Sequence, residues 1–476
     1  MPNRKNNLTE GPIWKALVLF AMPVLLGNIF QQLYNAFDAW CVGNYIGDDA
    51  LAAVSSSGSL IFMMVSFFNG LSMGAGVVIA RNFGAKEYGA MRKAIHTNIA
   101  FGLITGTLLT VTGMTLTPYI LEWMGTPSEV MPQSVEYFRF YFSGALFSVM
   151  YNICVGILHA VGDSKHPLIY LIISTLVNVV LDVLFVGVFG WGVGSAAVAT
   201  AISQFVSAML CIIHLLRANT TYQLKLPQLR IHKKSLLEII RFGLPSGVQN
   251  SVIALANVVV QSNINSFGKE AMAGCGSYSK LEGFAFLPIT CFTMALSTFV
   301  GQNLVAMQYD RVKKGVGFGI FSAMILAEIV GLISYLFAPT LIGLFNKNPD
   351  VIAYGVSHMR TICLFYCLLA FSHCIASILR GAGKATIPML TMLVCWCLIR
   401  VTYITVAVRY VPELTTVSWG SFQFPFISFA PRQTAHLTIV SWAYPLTWFL
   451  SSSFFLVYFL KADWIHNFDR IAAKNK

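Results

Sequence analysis

Four polar side chains stand within or at the ends of long apolar runs: Asp38, Asn178, Asp182 and Thr200. A carboxylate at the centre of a membrane helix costs roughly 2.5 to 3.5 kcal/mol on insertion scales, so a residue of this kind is a functional candidate by default. Asn178 and Asp182 are four residues apart, which sets both on one helix face. Asp182 stands about 15 residues into its run, or about 22 Å from the end at 1.5 Å per residue. The next run is antiparallel, and Thr200, about six or seven residues into it, reaches nearly the same depth. A carboxylate, an amide and a hydroxyl can then converge. With Asp38 they offer only hard oxygen ligands, which suit a hard cation or a proton relay better than a soft metal. Asp38 counts nearer the other end of its helix and joins the set only if that helix tilts or bends. A purely structural role competes, with Asn178 and Thr200 bridging helices at ~0.6 kcal/mol each and Asp38 facing water at a helix end.

Other chemistry is sparser. Glu282, Glu328, Lys280 and Arg400 lie in or at the ends of apolar runs of the second half. Lys280 and Glu282 are two apart and share no face, so Glu282 is the cavity candidate and Arg400 its candidate partner. His159 and His373 are expected as interhelical hydrogen-bond formers, with proton coupling as the alternative. Pro23 and Pro245 each free a backbone carbonyl and allow a hinge, although inherited packing explains them equally well. The ten cysteines fall almost entirely inside apolar runs, and even Cys363, Cys367 and Cys374 have no neighbouring carboxylate, so packing is expected and no metal site. The segment Gly381-Ala382-Gly383-Lys384-Ala385-Thr386 lacks the spacing of a phosphate-binding loop. With no nucleotide site and no nucleophile-base pair or His-rich motif, no cofactor is expected and an enzyme is disfavoured. An ion gradient is the expected energy source.

The elements that must position these residues follow from composition. Of 476 residues, 56% are hydrophobic and 11% charged, against roughly 25% charged in a soluble domain. The apolar residues come in runs of about 20, the length that crosses roughly 30 Å of hydrocarbon. Breakers place twelve helices near 14–38, 51–79, 95–117, 137–160, 167–189, 194–216, 236–266, 272–300, 316–343, 355–379, 388–410 and 438–460. The first run has no cleavage-like site after a short apolar core and is expected to remain as a span. The polar stretch 217–235 reads as a basic linker between halves 1–216 and 236–476. Most of the 31 Lys and Arg residues fall in loops on the side of both termini, whereas only Lys269, Lys347, Arg409 and Arg432 fall in those opposite. That bias expects cytoplasmic termini and accounts for most of the +12 charge without nucleic acid.

A shift of 221 residues superimposes Asn82, Ala85, Tyr88 and Lys93 on Asn303, Ala306, Tyr309 and Lys314, and Ile157, Leu158, Gly162 and Pro167 on Ile378, Leu379, Gly383 and Pro388. The chain therefore reads as a duplicated unit. Six spans per copy give both copies the same orientation, related by a pseudo-twofold axis along the membrane normal, with a cavity between lobes. The expected fold class is all-α integral membrane, with twelve transmembrane helices in two six-helix lobes. Alternating access recurs on this architecture.

The residues Pro23, Gln32 to Asp38 with Val42-Gly43, Ala80 to Ala85 with their counterpart Gly301 to Ala306, and Gly194 to Thr200 carry a resemblance over nearly the whole chain. Through them the sequence resembles the multidrug and toxic compound extrusion family, in the DinF/MepA-like prokaryotic branch. The resemblance implies a V-shaped cleft and export of organic cations against Na⁺ or H⁺. It also implies a cation site in the first lobe at Asp38, Asn178, Asp182 and Thr200. The expected partners are an amphipathic cationic substrate and the bilayer of the cell membrane, with the protein monomeric. A flippase of lipid-linked precursors is the leading alternative. The second half departs from the pattern by an insertion near 410–437, too rich in proline for a span and too apolar for a free loop, expected outside and over the outer mouth.

Overall fold

The computed structural model describes residues 8–45, 66–68, 70–123, 131–218, 220–419, 422–431 and 437–466. Its first half runs α1 (Ile13–Tyr45), α2 (70–84), α3 (Tyr88–Trp123), α4 (Met131–Ser143), α5 (Ala145–Ala160), α6 (Lys165–Asp182) and α7 (Val193–Arg217). The second half runs α8 (Lys233–Asn265), α9 (Lys269–Val305), α10 (Tyr309–Leu336), α11 (Ala338–Gly343), α12 (Pro349–Ile362), α13 (Tyr366–Gly381), α14 (Thr386–Met392), α15 (Arg400–Arg409) and α16 (Leu437–Lys461). Most helices extend past the apolar runs because their polar first and last turns keep helical geometry beyond the hydrocarbon. Among the described residues, ten helical segments are long and apolar enough to cross a membrane, and α4 with α5, bent by 45°, makes an eleventh. The run at 51–79 lies largely outside the described residues.

The helices are inside out by the standard of a soluble protein. On α6, Leu176 and Val180 are 61% and 56% exposed, while Asn178 and Asp182 on the opposite face are fully buried. That polarity suits a lipid surround, where apolar side chains face the acyl chains and polar ones turn inward.

The duplication is written into the backbone. Lys86 and Met307 take positive φ of 59° and 56°, and Gly162 and Gly383 take 87° and 78°. Both pairs obey the 221-residue shift. Positive φ is uncommon for a non-glycine residue, so its recurrence at equivalent corners comes from the shared fold and not from local preference. The hydrogen bonds repeat as well, with Asp163 N donating to the Leu158 carbonyl and Lys384 N to that of Leu379, each at 2.8 Å. The fourth span of each copy is also interrupted at matching places, by Gly144 in the first and by the 3₁₀ turn Cys363–Phe365 in the second.

The halves meet along α1 and α8. Leu17, Phe20, Ala21 and Val24 of α1 pack into the second-half core, while Ile239 and Phe242 of α8 pack into a first-half cluster. Arg81 pairs with Glu238, Gln302 Nε2 donates to the Ala160 carbonyl at 2.7 Å, and Asn250 Nδ2 donates to the Ser66 carbonyl at 3.2 Å. Between α2 and α8, Gly70 and Gly74 lie on Gly243 and Gly247 so closely that a β-carbon on either α2 glycine would strike backbone. Small residues four apart let membrane helices approach in this way. The linker is tied down as well, where Lys225 N donates to His96 Nε2 at 3.0 Å and His232 N donates to Thr97 Oγ1 at 3.1 Å.

The insertion departs from the all-helical expectation. β1 (Tyr410–Trp419) and β2 (Phe422–Pro431) form an antiparallel hairpin pairing Tyr410 with Pro431 and Trp419 with Phe422. Pro412, Pro425 and Pro431 fit it because a two-stranded hairpin has only edge strands, where a missing N–H can face away from the ladder. The side chains of the hairpin, and the expectation that it covers the outer mouth, lie outside the described residues.

Candidate functional site

The helix α6 presents Thr175, Asn178 and Asp182 on one buried face, at spacings of three and four residues. Immediately after Asp182 the helix widens into a π-helical turn, Val183–Val188, a feature frequent at functional positions because it shifts the helix face. The neighbouring α7 presents Thr200 and Gln204, one turn apart. The helix α1 packs along α6. Asp38 lies in α1, but its side chain is outside the described residues.

Several of these groups are buried without a hydrogen-bond partner among the described residues. Both polar atoms of the Asn178 amide, the hydroxyls of Thr175 and Thr200, and Oε1 of Gln204 are buried with no hydrogen-bond partner among the described residues. Leaving such a group unsatisfied costs about 1–3 kcal/mol, a cost that a bound water or cation would offset. Thr175 and Gln204 escaped the sequence reading. They were legible as the residues one helical turn from Asn178 and Thr200.

The second-half candidates do not assemble into a comparable site. Glu282 accepts from the Tyr278 hydroxyl at 3.1 Å, and that hydroxyl also contacts Tyr366 at 3.2 Å. Glu282 and Arg400, expected as partners, form no ion pair, although the Arg400 charge acts on Glu282 through space. Arg400 instead donates through Nε and Nη2 to Thr447 Oγ1 at 3.2 and 2.8 Å. Its guanidinium lies 5.0 Å from the Trp396 ring and 4.6 Å from that of Tyr444, a stacking geometry open to arginine. Glu328 accepts from the backbone N of Cys367 at 3.0 Å, and Lys280 lies over Phe345. Pro23 and Pro245 lie inside α1 and α8, which continue through them.

The histidines differ from expectation. His159 packs edge-on to Phe20, and His373 is wedged between Phe286 and Trp396 with its Nε2 lacking a partner among the described residues, so aromatic packing holds them where hydrogen bonds were expected. A cluster not anticipated from the sequence sits where α5, α6 and α7 end near the linker. There Asp163 Oδ2 lies 2.6 Å from His166 Nδ1 and 4.0 Å from His214 Nε2. In the linker beside it, the Tyr222 phenol is raised above the ordinary tyrosine value by burial and then by the Asp163 carboxylate.

Two repeated helical halves, a buried oxygen-rich face in one and lipid-facing apolar surfaces define a multi-pass membrane protein. The chain belongs to the MatE family, whose model matches residues 23–184 and 245–405, one stretch in each half. The probable multidrug resistance protein YoeA of Bacillus subtilis is 29% identical over 384 residues, 79% of this chain and 83% of that one. The probable multidrug resistance protein NorM of Thermotoga maritima is 27% identical, covering 84% of this chain and 86% of its own. Among solved structures, an outward-facing multidrug resistance MATE family transporter superposes with a TM-score of 0.86 at 22% identity, covering all of both chains.

Proposed function

We propose that the chain exports amphipathic organic cations in exchange for inward-moving Na⁺ or H⁺, with the coupling site formed by Asp38, Asn178, Asp182 and Thr200. The observation that carries this reading is the α6–α7 face, where helices bearing a buried carboxylate also bury an amide and hydroxyls that have no hydrogen-bond partner among the described residues. Such a set replaces the oxygen shell of a hard cation, or holds a carboxylate that accepts a proton. Occupation by the ion neutralises Asp182 and releases the substrate held when it is charged.

The excess of Lys and Arg in the loops of the N-terminal side supports a cytoplasmic location for that end in the cell membrane. A monomer suffices, because the cleft is built within one chain.

The test is export of a hydrophobic cation such as ethidium from proteoliposomes under independently imposed Na⁺ and pH gradients. One of the two gradients should drive export in the wild type and neither in Asp182→Asn. Equal export by that variant at equal incorporation would remove the site. Movement of anionic glycan lipids with ethidium ignored would replace the reading as a whole.

A further inference from the structure

We infer that Asp163, His166 and His214 form a binding site for a divalent transition-metal ion of the zinc type, fastening the start of α6 to the end of α7. The three offer one ligand atom each, and these atoms all lie within 4.8 Å of one another. Two imidazoles and a carboxylate are a donor set that Zn²⁺ accepts, with ligands at roughly 2.0–2.2 Å and a fourth position left to water. The hard cations Ca²⁺ and Mg²⁺ take oxygen ligands instead.

Each ligand is positioned by a separate device. The positive φ of Gly162 (87°) turns the chain so that Asp163 leads into α6, where Oδ1 accepts from the backbone N of His166 at 3.3 Å. This engages one oxygen and aims the other, Oδ2, at the two rings. The Asp163 side chain is only 2% exposed, so its charge is held away from bulk water. His214 comes from α7, and its Nδ1 is bound to the Tyr170 hydroxyl at 2.9 Å. That bond leaves Nε2 facing Asp163, buried and without a hydrogen-bond partner among the described residues. A metal-binding histidine is usually oriented through its other nitrogen in this way. His166 stands over the His214 ring at a centroid distance of 4.3 Å and is half-exposed, giving an ion a way in.

Without metal, the His166 N–H bridges to Oδ2. The ion takes its place at Nδ1, and the ring stays a neutral imidazole because that proton is given to solvent while the solvent-facing Nε2 carries one. Ligand atoms of a tetrahedral site stand wider than the 2.6 Å of the present bridge and closer than the 4.0 Å gap to His214. Shifts of well under a helical turn satisfy both. At the 221-residue shift Asp163 and His166 become Lys384 and Ile387, so the site belongs to one half.

The probe is Zn²⁺ on tag-free, detergent-purified protein, read by equilibrium dialysis and by the thermal unfolding midpoint, with Co²⁺ as a spectroscopic substitute. The wild type should bind one Zn²⁺ and unfold at higher temperature with it. His166→Ala and His214→Ala should each lose at least tenfold in affinity, and Tyr170→Phe about tenfold through loss of orientation. Because His166 is half-exposed, its alanine variant keeps the fold even if the His214 variant does not. No bound equivalent in the wild type, or unchanged affinity in His166→Ala, would overturn the site. This experiment reads nothing at Asp182, so its outcome is separable from that of cation export.

Discussion

Gly74 and Gly243 meet backbone to backbone across the two halves, and one turn away Gly70 meets Gly247 in the same way. Nothing larger than hydrogen fits on the α2 side. The crossing joins the two halves, supported by the pairing of Arg81 with Glu238. Gly74→Val should therefore disfavour the crossing without disturbing either lobe. Overpacking of this kind costs roughly 1–3 kcal/mol, enough to reduce the joined population about tenfold. The expected result is lower export and greater labelling of a cysteine placed near Gly247 by a thiol reagent. Wild-type export by the variant would show that the crossing is not part of the cycle.

The Asn178 amide is buried with neither polar atom bonded among the described residues. Replacing a buried unsatisfied group by an apolar one of similar shape is neutral or stabilising. Asn178→Leu should thus raise the unfolding temperature or leave it unchanged, while ion-coupled export falls at least tenfold. Those two readouts move in opposite directions for a ligand. A merely bridging asparagine would lose stability and keep export.

Much of this arrangement was readable from the chain. Hydrophobic run length located the spans because crossing the bilayer leaves little choice of length, and the polar faces of α6 and α7 were visible at helical spacing. The close crossing of α2 and α8 was not readable, since Gly70 and Gly243 are distant in sequence and glycine alone does not name its partner. Arg400 was matched to Glu282 on charge alone. The structure satisfies it with Thr447 and two aromatic rings, a solution that depends on where α16 packs. The Asp163 cluster was missed for a similar reason, because His214 is brought to it only by the antiparallel packing of α6 and α7. The hairpin was missed because its prolines argue against a central strand, and there is no central strand.

Thr447 Oγ1 accepts two hydrogen bonds from the buried Arg400. Thr447→Val keeps the shape and removes the acceptor, leaving guanidinium donors unsatisfied. The cost should be about 1–3 kcal/mol of stability, seen as a lower unfolding temperature, with Thr447→Ser close to the wild type. Equal stability of the valine variant would mean that the ring contacts alone hold Arg400.

The repeat supplies its own control for the coupling site. At the 221-residue shift Asn178 corresponds to Ile399 and Asp182 to Tyr403, and at the proline-anchored shift of 222 Asp38 corresponds to Val260. Val260 is buried in an apolar cluster against which Tyr403 packs, so the second half keeps the helices and lacks the oxygen set. Ion binding should therefore slow amide exchange in α1, α6 and α7, the helices that carry the first-half residues, and leave α8, α15 and α16 unchanged. Tyr403→Phe should preserve both the number of ions exchanged per substrate and their affinity. Asp182→Asn should weaken ion binding by roughly 30-fold or more, the scale of about 2 kcal/mol for removing a buried charge from its partner. Glu282 decides between one lobe and two, because it is the half-buried carboxylate of α9, held by Tyr278. Glu282→Gln should change substrate affinity at most and leave ion binding within about twofold. If it abolished ion binding as fully as Asp182→Asn, the ion would have to be shared by both halves, and closure of the cleft rather than neutralisation of one face would be the coupling step.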